Sequence, residues 1–220
     1  MERKKYLVVV AGGSGTRMGA SCPKQFLHLG GKAILQVTIE KFVSAVPDLK
    51  VITVLPKSHI DEWKNYCYEN NFVCPQTLVA GGITRFHSVR NGLEKVPDGA
   101  LVAIHDGVRP LVSKDLIISL FDAADKFGAV TPSVPVTDTI KTLDAKPVDR
   151  STLQAVQTPQ VFYSETLKSA YNQPFDTMFT DDASVLEAAG GHVEYVKGER
   201  SNIKITTPDD LLLAEAFLSL

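Results

Sequence analysis

The sequence predicts an α/β fold: a Rossmann-like, mainly parallel sheet flanked by helices, with a protruding β-arm. Three observations carry that prediction. Short apolar runs alternate with segments whose apolar residues recur at helical spacing, the first run ends in a glycine-rich turn, and the alternation breaks near residue 136.

Leu7 to Val10 is a continuous apolar run feeding Ala11-Gly12-Gly13, a buried strand entering a turn. Ile34, Leu35, Ile39, Phe42, Val43 and Val46 recur at helical spacing. Val51 to Leu55 is the next strand, closed by Pro56, and Ser58 is placed to cap a helix carrying Ile60, Trp63 and Tyr66. Leu78 to Ala80 runs into Gly81-Gly82, a helix follows from about Thr84 to Lys95, and a strand from Leu101 to Ile104 ends in His105-Asp106. Leu116 to Phe127 is again helical and Ala129 to Val134 is a strand. This rhythm is that of βαβ units with helices on both faces.

Residues 136–157 depart from it. Thr-Ile-Lys-Thr-Leu and Thr-Leu-Gln-Ala-Val flank the polar stretch from Asp144 to Arg150, which reads as an extended arm suited to meeting a second subunit. The tail resumes with a helix from Thr180 to Ala189, strands near Val193–Val196 and Ile203–Ile205, and a last helix from Pro208. With no repeat or low-complexity linker, residues 1–220 read as a single domain with that insertion.

Composition excludes several classes. Of 220 residues, 44% are hydrophobic and 22% charged, which suits a soluble globular chain able to bury a sizeable core. No apolar run approaches the roughly 20 residues that span a bilayer, so no membrane role is expected. The run after the charged N-terminus is too short for a signal-peptide core, so a cytoplasmic enzyme is expected. A net charge of −2 with basic residues scattered singly argues against a nucleic-acid partner. Cys22, Cys67 and Cys74 lack metal-ligand spacing and read as reduced thiols, with Cys22 inside the glycine-rich loop. His28, His59, His87 and His192 form no metal-binding spacing.

The loop from Ala11 to Met18 follows a strand, where open α/β sheets place ligands. Its glycines let backbone N–H groups approach phosphate oxygens. It lacks the Gly-Lys-Ser/Thr of a Walker A loop. It is no dinucleotide fingerprint either, because Met18 stands where the third glycine belongs and no acidic residue lies near Ala33 to hold a ribose. A plain tight turn and a phosphate site remain equally open on glycine content. Arg17 and Lys24 add cations that could clamp a triphosphate and the charge developing at its α-phosphorus, although solvated surface charge is the ordinary state of such residues. Asp106, at a strand end, reads equally as a helix cap or turn former or as a site residue.

Gly12-Gly13-x-Gly15-Thr16-Arg17-Met18 followed by Pro23-Lys24-Gln25-Phe26 resembles the nucleotidyltransferases, and within them the polyol-phosphate cytidylyltransferases. Gly81-Gly82…Arg85…Ser88-Val89, His105-Asp106-Gly107-Val108-Arg109-Pro110 and Asp138-Thr139-Ile140-Lys141 extend the likeness. So do Val148-Asp149-Arg150, Thr158-Pro159-Gln160, Thr180-Asp181-Asp182-Ala183-Ser184 and Asn202-Ile203-Lys204-Ile205-Thr206, in the order expected.

The resemblance implies transfer of CMP from CTP to 2-C-methyl-D-erythritol 4-phosphate in non-mevalonate isoprenoid precursor synthesis, with Mg²⁺ as cofactor. The alternatives are a ribitol-5-phosphate cytidylyltransferase or a non-catalytic nucleotide-binding protein. By this likeness Ala11, Gly12, Gly13 and Gly15 cradle the CTP phosphates, Gly81, Gly82 and Ser88 hold cytosine, and Asp106, beside Gly107, lies near Mg²⁺ or the ribose. Arg17 and Lys24 act at the transition state. Lys204, Arg109, Thr180, Thr139 and Arg150 meet the polyol phosphate, the last two from the arm of a partner in a homodimer. Lys204 and Arg150 are also expected to act in catalysis. Two departures stand out: Ala11-Gly12-Gly13 where the family often has Ala-Ala-Gly, and Gly107 where it often has alanine. His105 reads as structural, because a phosphate monoester, with a second pKa of about 6, needs no base to become a nucleophile.

Overall fold

In the computed structural model, which describes residues 3–12 and 23–219, the first apolar run is strand β1 (Lys5–Val10). Leu7 and Val9 pack into one apolar cluster and Val8 into another. A strand covered on both faces requires this, since successive side chains point to opposite sides. A short hairpin of β2 (His28–Leu29) and β3 (Lys32–Ala33) leads into α1 (Ile34–Ala45). Then come β4 (Lys50–Leu55), α2 (Ile60–Glu69), β5 (Gln76–Ala80), α3 (Arg85–Leu93), β6 (Leu101–Asp106), α4 (Lys114–Phe127) and β7 (Ala129–Pro135).

β1 lies between β4 and β6, and β5 lies outside β4, all parallel. The chain therefore steps outward from β1 through β4 and β5, then returns to the other side of β1 as β6. Such a reversal opens a crevice at the carboxyl ends of the strands on either side of it.

Beyond β7 the chain leaves the sheet. β8 (Ile140–Lys141) and β9 (Pro147–Val148) form an isolated antiparallel hairpin, with Thr142 and Lys146 bonded across its turn. Nearly every residue of this arm is exposed, and Leu143 at its tip is fully so. β10 (Gln154–Val156) and β11 (Gln160–Tyr163) then run antiparallel to β7, and β11 also pairs antiparallel with β6. After α5 (Ser164–Ala170) and α6 (Asp182–Ala188), β12 (Glu194–Lys197) pairs parallel with β7. α7 (Pro208–Leu218) begins with Pro at its first turn and a Thr207 capping box.

One sheet face is covered by α1, α2 and α4, the other by α3, α5 and α6. Alternation along β6 decides what reaches the crevice. His105 falls on the α1 side, where its ring packs 4.7 Å from Phe42, and Asp106 falls on the side of α3 and α6. Phe42 is fully buried; its truncation to Ala would leave a cavity beside His105 and cost roughly 3–5 kcal/mol.

Three expectations are corrected. Ser58 caps nothing: it lies in a 3₁₀ turn, Lys57–His59, set up by Pro56, and α2 starts at Ile60 without a side-chain cap. Residues 203–205 form no strand; Ile205 donates one backbone bond to Val108, and no ladder follows. α6 starts later than Thr180, because Asp181 is its N-cap and forms a reciprocal capping box with Ser184.

Candidate active site

Four parallel strands deliver their carboxyl ends to one place. Ala11 N–H donates to Val54 O at 2.9 Å, Gly81 N–H to Leu55 O at 2.7 Å and Gly107 N–H to Val10 O at 2.9 Å, so each loop leaves its strand already tied to the neighbouring strand. Gly82 has to be glycine: a Cβ there would come 2.4 Å from Cβ of His87. Its N–H donates to Ser88 Oγ at 3.0 Å, and Ser88 in turn donates to Thr84 O at 2.9 Å. These groups border a cleft of ≈ 290 Å³ lined by Ala11, Gly12, Lys24, Gly82, Ser88, Asp106 and Lys204. Gln25 lies beside Lys24, buried, and neither of its amide atoms has a hydrogen-bond partner among the described residues. Orphaned amide groups are costly unless a ligand or water satisfies them.

Asp106 stands at the floor of this cleft amid three cations. Lys204 Nζ lies 2.9 Å from Oδ2, Arg109 Nε 3.5 Å from Oδ2 and Arg85 Nε 3.5 Å from Oδ1. Burial alone would raise its pKa, but Arg85, Lys204 and Arg109 together outweigh burial and hold the carboxyl well below the usual carboxylate range. The backbone N–H of Asp106 donates to Thr158 Oγ1 at 3.1 Å, which fixes the strand end from the β11 side.

A second cleft, of ≈ 430 Å³, opens on the far side of Asp106. Arg109, Thr158, Thr180, Asp181 and Tyr195 line it, and it shares Arg85, Asp106 and Lys204 with the first. Its walls come from the start of α6, from β12 and from the segment before β11. Two clefts joined at one charged cluster can hold two anionic molecules with their reactive ends facing. His105 is fully buried beside the junction, with Nδ1 3.0 Å from Thr158 Oγ1 and Nε2 3.1 Å from Arg109 O. Burial pushes its pKa down to about 3, so it is neutral at pH 7 with both ring nitrogens engaged.

The family model described as 2-C-methyl-D-erythritol 4-phosphate cytidylyltransferase matches residues 6–220. The chain belongs to that family. It is 49% identical, over 223 residues and the whole of both chains, to the enzyme of that name from Porphyromonas gingivalis. The solved structure of 4-diphosphocytidyl-2C-methyl-D-erythritol synthase from Anaerococcus prevotii is similar with a TM-score of 0.82 and 30% identity, covering 99% of this chain and 97% of that one. The cytidylyltransferase structure from Thermus thermophilus gives 0.78 and 32% with both chains fully covered. These likenesses favour methylerythritol phosphate over ribitol phosphate as the acceptor.

Within this cytidylyltransferase fold the expected site residues fall in different places. Ala11, Gly12, Gly82, Ser88, Lys24, Asp106 and Lys204 meet at the first cleft, and Arg109 and Thr180 join Asp106 and Lys204 at the second. Gly81 and Gly107 sit just behind, in the backbone that shapes the floor. Thr139 and Arg150 line neither cleft of their own chain; both are exposed on the arm, where Arg150 donates to Thr137 O. Gly13, Gly15, Arg17 and Cys22 lie outside the described residues. The Gly12 departure is easily housed, since a Cβ there would sit 3.7 Å from Ser88 Oγ. An alanine at 107 would press within 3.0 Å of Leu35 Cδ1.

Sequence reasoning left Arg85, Thr158, Gln160 and Asp182 without roles. All four lie inside the quoted motifs Gly81-Gly82…Arg85, Thr158-Pro159-Gln160 and Thr180-Asp181-Asp182-Ala183-Ser184.

Among the described residues no cluster of three or more His, Cys, Asp or Glu could hold a metal. Among the described residues Asp106 is the only carboxylate lining the first cleft. That donor set fits Mg²⁺, which is ordinarily held by one or two carboxylates plus substrate phosphates. No helix among the described residues is long and apolar enough to cross a membrane.

Proposed function

We propose that this protein transfers CMP from CTP to 2-C-methyl-D-erythritol 4-phosphate, giving CDP-methylerythritol and pyrophosphate for isoprenoid precursor synthesis. The observation that carries this reading is the junction of a glycine-lined cleft with a second, cation-bearing cleft at Arg85, Asp106 and Lys204. CTP would occupy the first, its triphosphate against the backbone of Ala11, Gly12, Gly13 and Gly15 and its base toward Gly81, Gly82 and Ser88. The polyol phosphate would occupy the second, against Arg109, Thr180 and Lys204.

A phosphate oxygen of the acceptor attacks the α-phosphorus in line. The new P–O bond forms as the bond to the β-phosphate oxygen breaks, and pyrophosphate leaves with that electron pair. The attacking group is already an anion, so no base is required, and a neutral, fully engaged His105 suits that. Catalysis then rests on positioning and on cations aimed at developing negative charge. Lys24 and Arg17 would stabilise the α-phosphoryl group, and Lys204 would orient the attacking phosphate. Asp106 would hold Mg²⁺, which when bound neutralises phosphate charge.

Thr139 and Arg150 would complete the acceptor site of a second subunit, making the enzyme a homodimer with shared sites. Their exposure on the arm, with neither lining a cleft of its own chain, supports this reading. Incubation with CTP, Mg²⁺ and either methylerythritol phosphate or ribitol 5-phosphate, followed by pyrophosphate release, tests the assignment. Release with the first acceptor alone is expected; release with neither, while CTP still binds, would leave only a nucleotide-binding protein. Sedimentation of a monomer at assay concentration would end the shared-site reading.

A further inference from the structure

Arg85 occupies a place that neither cleft alone explains. It leaves the first turn of α3, directly after the Thr84 cap, and lines both clefts. Its guanidinium forks onto Asp182, with Nη1 3.1 Å from Oδ1 and Nη2 2.6 Å from Oδ2, while Nε points to Asp106 Oδ1 at 3.5 Å. A planar fork of this kind fixes orientation as well as charge.

The anchor is itself immobilised. Asp182 is fully buried at the first turn of α6, and Tyr171 Oη donates to its Oδ1 at 2.6 Å. Gln160 Oε1 accepts from the backbone N–H groups of Asp182 and Ala183 at 3.0 and 2.9 Å. Asp182 lines neither cleft. The chain of contacts thus runs from β11 through α6 to Arg85 and ends on the carboxylate shared by both clefts.

α3 carries Ser88 at the nucleotide cleft, and the start of α6 follows Thr180 at the acceptor cleft. The Arg85–Asp182 fork is therefore a strut between the elements that shape the two halves of the site. Of the cations around Asp106, Arg85 is the one locked from behind by a buried carboxylate, whereas the Lys204 side chain is 40% exposed. Lys204 can leave Asp106 for a phosphate; Arg85 cannot leave without unpairing Asp182, which is costly for a buried charge.

We propose that Arg85 is a positioning residue for the transfer reaction, which, braced by Asp182, holds Asp106 and sets the nucleotide and acceptor clefts at reacting distance. This rests on the assignment of the two clefts given above. The alternative is a purely structural ion pair tying α3 to α6, and the two differ in what they do to a folded enzyme. Misplacement of reacting groups by about 1 Å lowers turnover by about 100-fold without unfolding anything.

The test is steady-state kinetics on wild type, Arg85→Met, Arg85→Lys, Asp182→Asn and the double variant Arg85→Met/Asp182→Asn, with thermal unfolding of the same samples. Arg85→Met should lower kcat by about 100-fold with the KM for CTP changed less than about threefold. Arg85→Lys, which keeps the charge and loses the fork, should fall between. Asp182→Asn should lower kcat by about tenfold although it lines neither cleft, and the double variant should be no worse than Arg85→Met.

Wild-type kcat in folded Arg85→Met or Asp182→Asn, or additive losses in the double variant, would overturn the proposal. So would variants whose only change is a lower unfolding midpoint. Should Arg85→Met not fold, the Arg85→Lys and Asp182→Asn pair decides by the same criteria. Active wild type with unaffected variants removes the strut alone, whereas no pyrophosphate from wild type removes the cleft assignment and the strut with it.

Discussion

The crevice and the arm are built in opposite ways. At the crevice, Asp106 is met by side chains from α3, from the turn after β6 and from the segment before α7, with Arg85 held further by Asp182 and Arg109 by Asn202 O. On the arm, hydrogen bonds are local: Thr142 with Lys146, Ser151 with Asp149, Arg150 with Thr137. A hairpin of two-residue strands with no apolar face covered is weak by itself. The difference separates side chains held by contacts across the fold from side chains held only by contacts within the arm.

The largest effects are expected where the crevice meets the triphosphate. Lys24→Ala and Arg17→Ala should each lower kcat by about 10²–10³-fold, the range for losing one donor aimed at developing charge, while the unfolding midpoint stays within a few degrees. Lys204→Ala should act similarly, with a rise in KM for the acceptor added. Near-normal turnover in the Lys24 and Arg17 variants would remove the clamp from the mechanism.

Next in size is the arm's contribution. Arg150→Ala should lower kcat/KM for the acceptor by about 10–100-fold, the worth of a charged hydrogen bond left unmade, and leave the KM for CTP unchanged. The sharper form is complementation. Mixed Arg150→Ala and Lys204→Ala subunits should recover about a quarter of wild-type activity after exchange, because half the dimers then carry one intact site. No recovery, with exchange verified, would place Arg150 in its own chain's site and erase the contrast between crevice and arm.

What the sequence made legible follows the same division. β1 and β6 were readable because strands buried on both faces become continuous apolar runs, and α1 and α4 because their apolar residues keep helical spacing. β2, β3 and β11 were not, since strands of two to four residues carry too little periodicity to stand out. The contact of Lys204 with Asp106 joins residues distant in sequence, and local pattern cannot reveal it. Arg85 and Asp182 are 97 residues apart, so their fork was likewise invisible. The arm was legible as an extended excursion from its break in rhythm, but local pattern does not encode what its Arg150 meets.

A smaller effect separates the two regions by pH. His105 is held neutral, with its pKa pushed down to about 3 from an unfolded value of about 6.5. Between those values the unfolded chain binds a proton that the folded one refuses. Stability from this source is therefore complete above pH 6.5 and lost as pH falls toward 3. The loss reaches about 3 kcal/mol by pH 4, at up to 1.36 kcal/mol per pH unit. Asp106 adds its own loss in the same direction only below its unfolded value of about 3.9. Denaturant unfolding from pH 7 to 4 should show the slope in wild type and a flatter one in His105→Gln. An arm variant such as Arg150→Ala should keep the wild-type slope; equal flattening in both would mean that the crevice is not the source.

The smallest effect on the folded subunit is expected at Leu143, fully exposed at the arm's tip. Leu143→Ser removes no contact within the chain, so its unfolding free energy, measured at a concentration where subunits are separate, should move by less than about 0.5 kcal/mol. If the tip packs against a partner, the same change removes roughly 1.5–3 kcal/mol of apolar burial and should weaken the dimer about tenfold or more in sedimentation. Activity should then fall at low enzyme concentration and return to wild-type kcat at high concentration, because no group at the reacting centre has changed. A dimer of unaltered affinity would mean that the arm meets its partner along its sides, near Thr139 and Arg150, with the tip left in water.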